Sequence, residues 1–253
     1  MSVFLLVVDI GNTNTKCGLV EDGKVSEVNR YSHSEDADSV FSALKEAYGP
    51  LQPTAVALAS VVPDRTKRWR KELEQSLSLP VWELRTTDPH PIGVDVPKPE
   101  TVGPDRLANA IAAVHRKGSP VMVADFGTAL TFDVALPERG YVGGVIAPGI
   151  DLMYGYFAEK TALLPELSFE PCGKAIGSTT EEAMHSGAFF GYRGMVRELS
   201  AKIREEVGGD VPLLATGGYA AEVLEGFGEP VEVVPHLTLE GIGLAWRSSS
   251  RTA

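Results

Sequence analysis

The sequence predicts an α/β protein of two similar halves, each a mixed β-sheet flanked by helices, with a cleft between the halves. Two observations predict it. The first is a repeated phrase, Asp9-Ile10-Gly11-Asn12-Thr13 and Asp125-Phe126-Gly127-Thr128-Ala129, each copy preceded by an apolar run rich in β-branched residues and followed by a threonine, Thr15 or Thr131. The second is the order of hydrophobic periods, which reads as three strands and then alternating helices and strands in both halves.

In the first half, residues 3–10, 15–20 and 24–30 read as strands, with Glu21-Asp22-Gly23 as a hairpin turn. Residues 37–48 place Val40, Phe41, Leu44, Ala47 and Tyr48 at helical spacing, and Gly49-Pro50 stops that helix. Residues 55–62 form a buried strand. A helix starting at Asp64 carries Trp69, Leu73 and Leu77 on one face, and residues 81–84 make a short strand. Residues 86–104, rich in Pro, Gly, Thr and Asp, form a long irregular loop of the kind that often carries function. It leads to Asp105-Arg106 and a helix ended by Gly118.

The second half repeats the order with strands at 121–126, 129–135 and 140–147. Helices follow at about 150–160 and from Thr180 to about Val207. A strand at 213–216 leads through Gly217-Gly218 into a helix near 219–226. A strand at 231–234 and a helix at about 238–247 close the chain, ahead of a frayed polar tail. The division expected is 1–117 and 118–253.

The balance of 23 basic and 34 acidic residues, a formal charge of −11, argues against non-specific nucleic-acid binding. It leaves room for a small anion held by a local loop. Cys17 and Cys172 are too few and too far apart for a structural zinc site and read as reduced thiols of a cytosolic protein. The N-terminal apolar run lacks a basic flank and enters the first Asp-Gly phrase directly, so it reads as a strand and no signal peptide. No apolar stretch approaches the ~20 residues needed to cross a bilayer. The five histidines show no metal-ligand spacing, and neither G-x-x-x-x-G-K-[ST] nor G-x-G-x-x-G after a strand occurs.

The repeated phrase carries the chemistry. A strand, a tight glycine turn and a returning strand expose amides and hydroxyls that can hold phosphate oxygens. An aspartate at each strand end can hold a cation or its water shell. The first copy, Asp9, Ile10, Gly11, Asn12, Thr13, Asn14, Thr15 and Lys16, places four polar side chains in a row between Asn12 and Thr15. The second offers Asp125, Thr128 and Thr131. Gly103-Pro104-Asp105-Arg106 combines a candidate general base with a guanidinium suited to a carboxylate, although Pro and Asp also serve as ordinary helix N-terminal chemistry. Residues 178–182 read as a capping box, or alternatively place a Thr hydroxyl and helix amides before a substrate. Thr216-Gly217-Gly218 is either a strand-to-helix turn or a backbone surface for an adenine or ribose.

With these residues assembled, the chain resembles type III pantothenate kinase, in the superfamily of acetate and sugar kinases, actin and heat-shock ATPases. The resemblance rests on DIGNTNTK at 9–16, VGPDR at 102–106, DFGTALTFD at 125–133, GGVIAPG at 143–149, IGSTTEEAMHSG at 176–187 and ATGG at 215–218. It implies two actin-like (ribonuclease H-like) halves and ATP-dependent phosphorylation of pantothenate to 4′-phosphopantothenate, the first step of coenzyme A biosynthesis. It implies that residues 9–16 bind ATP with Asp9 near its Mg²⁺, and that Thr128 contacts ATP. Asp105 is implied as the catalytic base, with Gly103, Pro104, Asp105, Arg106 and Thr180 lining the pantothenate site. Asp125 is implied as the ligand of a monovalent cation, K⁺ or NH₄⁺. A cytoplasmic homodimer is implied too. The sequence departs from the family at Pro104, where Ala is common, and at Val96, which aligns with a tyrosine of the substrate site in many members. The competing readings are another small-molecule kinase of the superfamily, a non-catalytic regulatory paralogue, and an ATPase or polyphosphatase with no acceptor alcohol.

Overall fold

The computed structural model describes residues 4–250. Val3 and residues 251–253, which belong to the expected first strand and frayed tail, lie outside the described residues. Two compact units are present. The first comprises residues 1–116, 138–142 and 236–253; the second comprises 117–137 and 143–235.

The first unit is built on a five-stranded sheet. Its strands are β1 (Leu5–Ile10), β2 (Asn14–Glu21), β3 (Lys24–Ser32), β4 (Ala55–Ser60) and β5 (Val81–Glu83), in the order β3-β2-β1-β4-β5. β2 pairs antiparallel with β1 and with β3, while β4 and β5 extend the sheet in parallel. The β2–β3 turn has positive φ at Asp22 (48°) and Gly23 (82°), the Asp-Gly geometry that matches strand twist. Alternation along β1 divides the sheet into two faces. Leu6, Val8 and Ile10 pack with Val40, Phe41, Leu44, Trp69 and Leu73 of α1 (Ala37–Tyr48) and α2 (Pro63–Leu77). Leu5 and Val7 pack on the other side with α3 (Pro104–Lys117) and α7 (Leu237–Ser250). α2 begins one residue before the expected Asp64, because Pro63 occupies a first-turn position where its missing N–H costs nothing.

The second unit repeats this plan. Its strands β6 (Val121–Phe126), β7 (Ala129–Leu136), β8 (Gly140–Pro148), β9 (Leu213–Gly217) and β10 (Glu232–Val233) follow the order β10-β9-β6-β7-β8. Read from the other edge, that is the order of the first sheet. Its helices are α4 (Ile150–Lys160), α5 (Thr180–Val207) and α6 (Ala220–Leu224). α6 and β10 are shorter than their apolar runs suggest, and Ser248–Ser250 of the expected tail belong to α7.

The last helix does not stay with the half that precedes it in sequence. α7 packs on the first sheet through Leu239, Ile242 and Ala245. A methyl at Gly241 would overlap the backbone carbonyl of Ala108, so α3 and α7 touch main chain to main chain. Beside that contact the Thr238 hydroxyl donates to Asn109 Oδ1 at 2.9 Å, fully buried. No helix among the described residues is long and apolar enough to cross a membrane.

Candidate active site

In the first unit the loop between β1 and β2 is closed by Gly11, whose N–H donates to the Asn14 carbonyl at 3.0 Å. A methyl on Gly11 would stand 3.2 Å from that oxygen, a tight approach that glycine avoids. Asn12 and Thr13 are exposed at the tip, Asn14 and Lys16 are half-buried, and Ile10 and Thr15 are buried. The Ile10 side chain belongs to the core between the sheet and α1 and α2. Asp9 is half-buried at the carboxyl end of β1 and stands opposite Lys16. Directly opposed residues of an antiparallel pair share a face. For Asp9 and Lys16 that is the face of Leu5 and Val7, the one on which α3 lies.

The same face receives the start of α3. The Gly103 carbonyl accepts from the N–H groups of Arg106 (3.1 Å) and Leu107 (3.2 Å). Asp105 Oδ1 accepts from the Arg106 N–H at 2.8 Å. A methyl on Gly103 would collide with Asp105 Oδ1 and lie 3.4 Å from Val61 Cγ1. Val61 follows β4, and its N–H donates to the Ile10 carbonyl at 3.1 Å. The chain thus ties the ends of β1 and β4 together and sets the first turn of α3 beside them. Asp9 and Lys16 thus lie at one end of this sheet face, and the first turn of α3, which contains Asp105 and Arg106, starts beside Val61 at the end of β4. The Arg106 guanidinium carbon lies 6.0 Å from the ring centroid of the buried Tyr141. Tyr141 also fixes the loop at 86–104, donating to the Gly93 carbonyl and accepting from the Asp95 N–H, both at 2.8 Å. Val96 is partly buried against the same core.

In the second unit the turn after β6 is one residue shorter. The Gly127 N–H donates to the Ala129 carbonyl at 3.1 Å, so only Thr128 stands where Asn12 and Thr13 stand in the first loop. The strand register accordingly pairs Asp9 with Lys16 but Asp125 with Thr131. Lys16 is the counterpart of Thr131, and Thr15 the counterpart of the buried Leu130. The half-buried Asp125 is flanked by Thr131 on β7 and Thr216 on β9. Two glycines crowd this turn. A methyl on Gly149, just before α4, would strike the carbonyls of Thr128 and Gly127; one on Gly217, at φ +95°, would strike the Phe126 backbone. The Gly218 N–H donates to the Phe126 carbonyl at 3.0 Å, so the Gly217-Gly218 turn lies directly beside the second loop. Tyr219 donates to Asp151 of α4 at 2.5 Å and packs edge-on against Phe169.

At the start of α5, Thr179 accepts from the Glu182 N–H at 3.1 Å, while Glu182 accepts from the Ser178 N–H at 2.7 Å. This is capping chemistry, with the hydroxyl at Thr179. It leaves Thr180 exposed as the first helical residue.

Two histidines in the first unit escaped the sequence reading. His33 follows β3 and bonds the first loop through both ring nitrogens, to the Asn12 carbonyl (3.0 Å) and to Thr15 Oγ1 (3.1 Å). Burial and the nearby Arg65 charge lower its pKa. His236 precedes α7; burial, and behind it the charge of Lys16, lower its pKa as well. Neither has a motif of its own. The only available signal was the position of His33 directly after a strand hairpinned to β2.

The profile of the type III pantothenate kinase family matches residues 5–202. A type III pantothenate kinase of Akkermansia muciniphila is 38% identical over 240 residues, covering 95% of this chain and 97% of its own. One from Thermomicrobium roseum is 34% identical, covering 98% of both. Among solved structures, a Baf family protein of Campylobacter jejuni superposes with a TM-score of 0.60 at 16% identity, covering 97% of this chain and 99% of its own. Component A of (R)-2-hydroxyglutaryl-CoA dehydratase from Acidaminococcus fermentans does so with a TM-score of 0.53 at 13% identity, over 98% and 99%. At these identities the structural likeness concerns the fold.

Proposed function

Because the chain belongs to the type III pantothenate kinases, we propose that it phosphorylates pantothenate with ATP, using Asp105 as the base that takes the proton of the acceptor hydroxyl. The observation that supports this reading is the shared sheet face: α3, whose first turn contains Asp105, packs on the face to which Asp9 and Lys16 belong, and Gly103 just before it lies beside Val61 at the end of β4.

In this reading the loop at 9–16 and Thr128 hold ATP phosphate oxygens through amides, hydroxyls and Lys16. Such catalysis consists chiefly of positioning and neutralisation of charge. Arg106 takes the carboxylate end of pantothenate; Gly103, Pro104 and the exposed Thr180 complete the substrate contacts. Among the described residues no three His, Cys, Asp or Glu side chains converge on a metal position. One carboxylate, Asp9, suits Mg²⁺, which commonly binds through one or two carboxylates and the substrate phosphates. When bound, the ion neutralises phosphate charge. Asp125, flanked by Thr131 and Thr216, offers oxygen donors for a monovalent cation, K⁺ or NH₄⁺.

We also infer a cytoplasmic homodimer. Its support lies in the second unit, where Ile146 of the edge strand β8 (66% exposed) and Leu152 and Tyr156, one turn apart on α4 (50% and 60%), present large apolar side chains to solvent. Light scattering of wild type and an Ile146→Lys/Leu152→Lys variant tests this: a monomeric wild type refutes it.

The deciding assay is ADP production with and without pantothenate, in potassium and in sodium buffers. Pantothenate-dependent release that is faster in potassium supports the full reading. Release without an acceptor would make the protein an ATPase.

A further inference from the structure

We propose that His33 is a positioning residue for the first phosphate loop, holding it in the conformation that presents its amides to ATP. The inference rests on the reading of residues 9–16 as that loop.

His33 lies one residue beyond β3, where Asn14 faces Ser32 and Thr15 faces Tyr31. Its backbone N–H donates to the Thr13 carbonyl at 3.0 Å. Its ring reaches the two residues on either side of Thr13 and Asn14. Nδ1 is 3.0 Å from the Asn12 carbonyl oxygen. A carbonyl only accepts, so Nδ1 carries the proton. In the neutral ring Nε2 is then an acceptor, and the fully buried Thr15 hydroxyl, 3.1 Å away, donates to it. One residue thereby fixes the carbonyls of Asn12 and Thr13 and the hydroxyl of Thr15.

The consequence follows from peptide geometry. In a planar trans peptide unit the N–H points opposite to the C=O. Drawing the carbonyls of Asn12 and Thr13 toward His33 turns the N–H groups of Thr13 and Asn14 the other way. Two successive amides aimed in one direction are the elements of an anion-binding turn. Removing the His33 ring takes away the bonds to the Asn12 carbonyl and the Thr15 hydroxyl, while the backbone bonds from His33 to Thr13 and from Gly11 to Asn14 remain.

His33 is itself braced. Arg65 of α2 donates to the His33 carbonyl at 3.2 Å. The Arg65 charge and burial both disfavour a protonated ring, which preserves Nε2 as the acceptor for Thr15. The loop is therefore supported from the outer edge of the sheet by a residue that need not touch the nucleotide.

The test compares His33→Ala, His33→Asn and His33→Gln with wild type by steady-state kinetics and thermal unfolding. Asn places an amide nitrogen near the Nδ1 position and can restore the bond to Asn12; Gln reaches toward the Nε2 position. The expected result is a rise of ~10-fold or more in the KM for ATP of His33→Ala, with the KM for pantothenate unchanged, since modest misplacement of binding groups is costly. His33→Asn recovers most of that loss, and its melting temperature matches that of His33→Ala. An unchanged KM for ATP in His33→Ala, or no rescue by Asn or Gln, overturns the proposal. Gly11→Val separates the two levels of inference. If it weakens ATP binding while His33→Ala does not, the loop reading stands and the role of His33 falls. If neither variant affects ATP, the loop reading falls as well.

Discussion

Asp9 and Lys16 stand directly opposite each other across β1 and β2, on the sheet face that also bears the first turn of α3. In the proposed reading, the acid serves the metal-bound phosphate and the lysine a bare phosphate oxygen. Lys16→Met should therefore lower kcat/KM for ATP by roughly 10²-fold, the typical loss for one preorganised charge-stabilising donor. The KM for pantothenate should hold. Initial rates over an ATP series at saturating pantothenate check this.

Asp105→Asn keeps the size of the side chain and an oxygen to accept the Arg106 N–H, but abolishes its basicity. Turnover should fall ~10²–10⁴-fold, the usual contribution of a positioned general base. ATP affinity, measured by calorimetry, should stay near wild type. Unchanged turnover would remove Asp105 from its role.

Gly241→Ala addresses the seam between α3 and α7. The added methyl meets the Ala108 carbonyl, which belongs to helix backbone and cannot swing aside. Overpacking of this kind costs ~1–3 kcal/mol. Urea denaturation should show the loss, while Gly191→Ala on α5, where a methyl meets nothing within 4 Å, should show none.

Arg193 is a buried cation held by backbone. Its guanidinium donates to the carbonyls of Val223 (2.9 Å), Glu225 (2.8 Å) and Gly226 (2.7 Å), and its carbon lies 4.9 Å from the Phe189 ring centroid and 5.5 Å from that of Phe227. Arg193→Met leaves those carbonyls without their donor. Leaving a buried acceptor unsatisfied costs about 1–3 kcal/mol, so a destabilisation of at least that order should appear in thermal melts. Arg193→Lys should recover only part of it, because an ammonium cannot span the same fork.

His33, His90 and His236 all have lowered pKa values, with burial the largest cause in each. Each ring binds its proton less readily in the folded chain, so as the pH falls the unfolded chain protonates first. The stability these rings contribute is complete above the ordinary histidine pKa of about 6.5 and declines as the pH drops through that value toward the lowered ones. Urea midpoints should fall from pH 7.5 to pH 5.5, and the fall should be smaller in a His90→Gln variant.

Much of this architecture is legible in local pattern. The helices at 37–48 and 180–207 coincide with their hydrophobic periods, and Asp22-Gly23 forms the turn its chemistry demands. The duplicated Asp-x-Gly phrase marks the two strand ends that carry the acids. What escaped was set by partners far away in sequence. His33 bonds Asn12 and Thr15 across a hairpin and has no period to reveal it. The shift of Lys16, and not Thr15, onto the position of Thr131 depends on one extra residue in the first turn, which only strand register exposes. The packing of α7 (Leu237–Ser250) on the first sheet likewise rests on contacts remote in sequence. Short elements such as β10 and α6 end inside the apolar runs that announce them.

The docking of α7 also bears on biosynthesis. Ribosomes release β1 and β2 long before residues 237–250 emerge, so the face lined by Leu5, Val7 and Val20 awaits its last cover until synthesis is nearly finished. A nascent chain stalled before Leu237 would leave the part of that apolar surface that α7 covers exposed, beside the share already covered by α3, and become a client for chaperones.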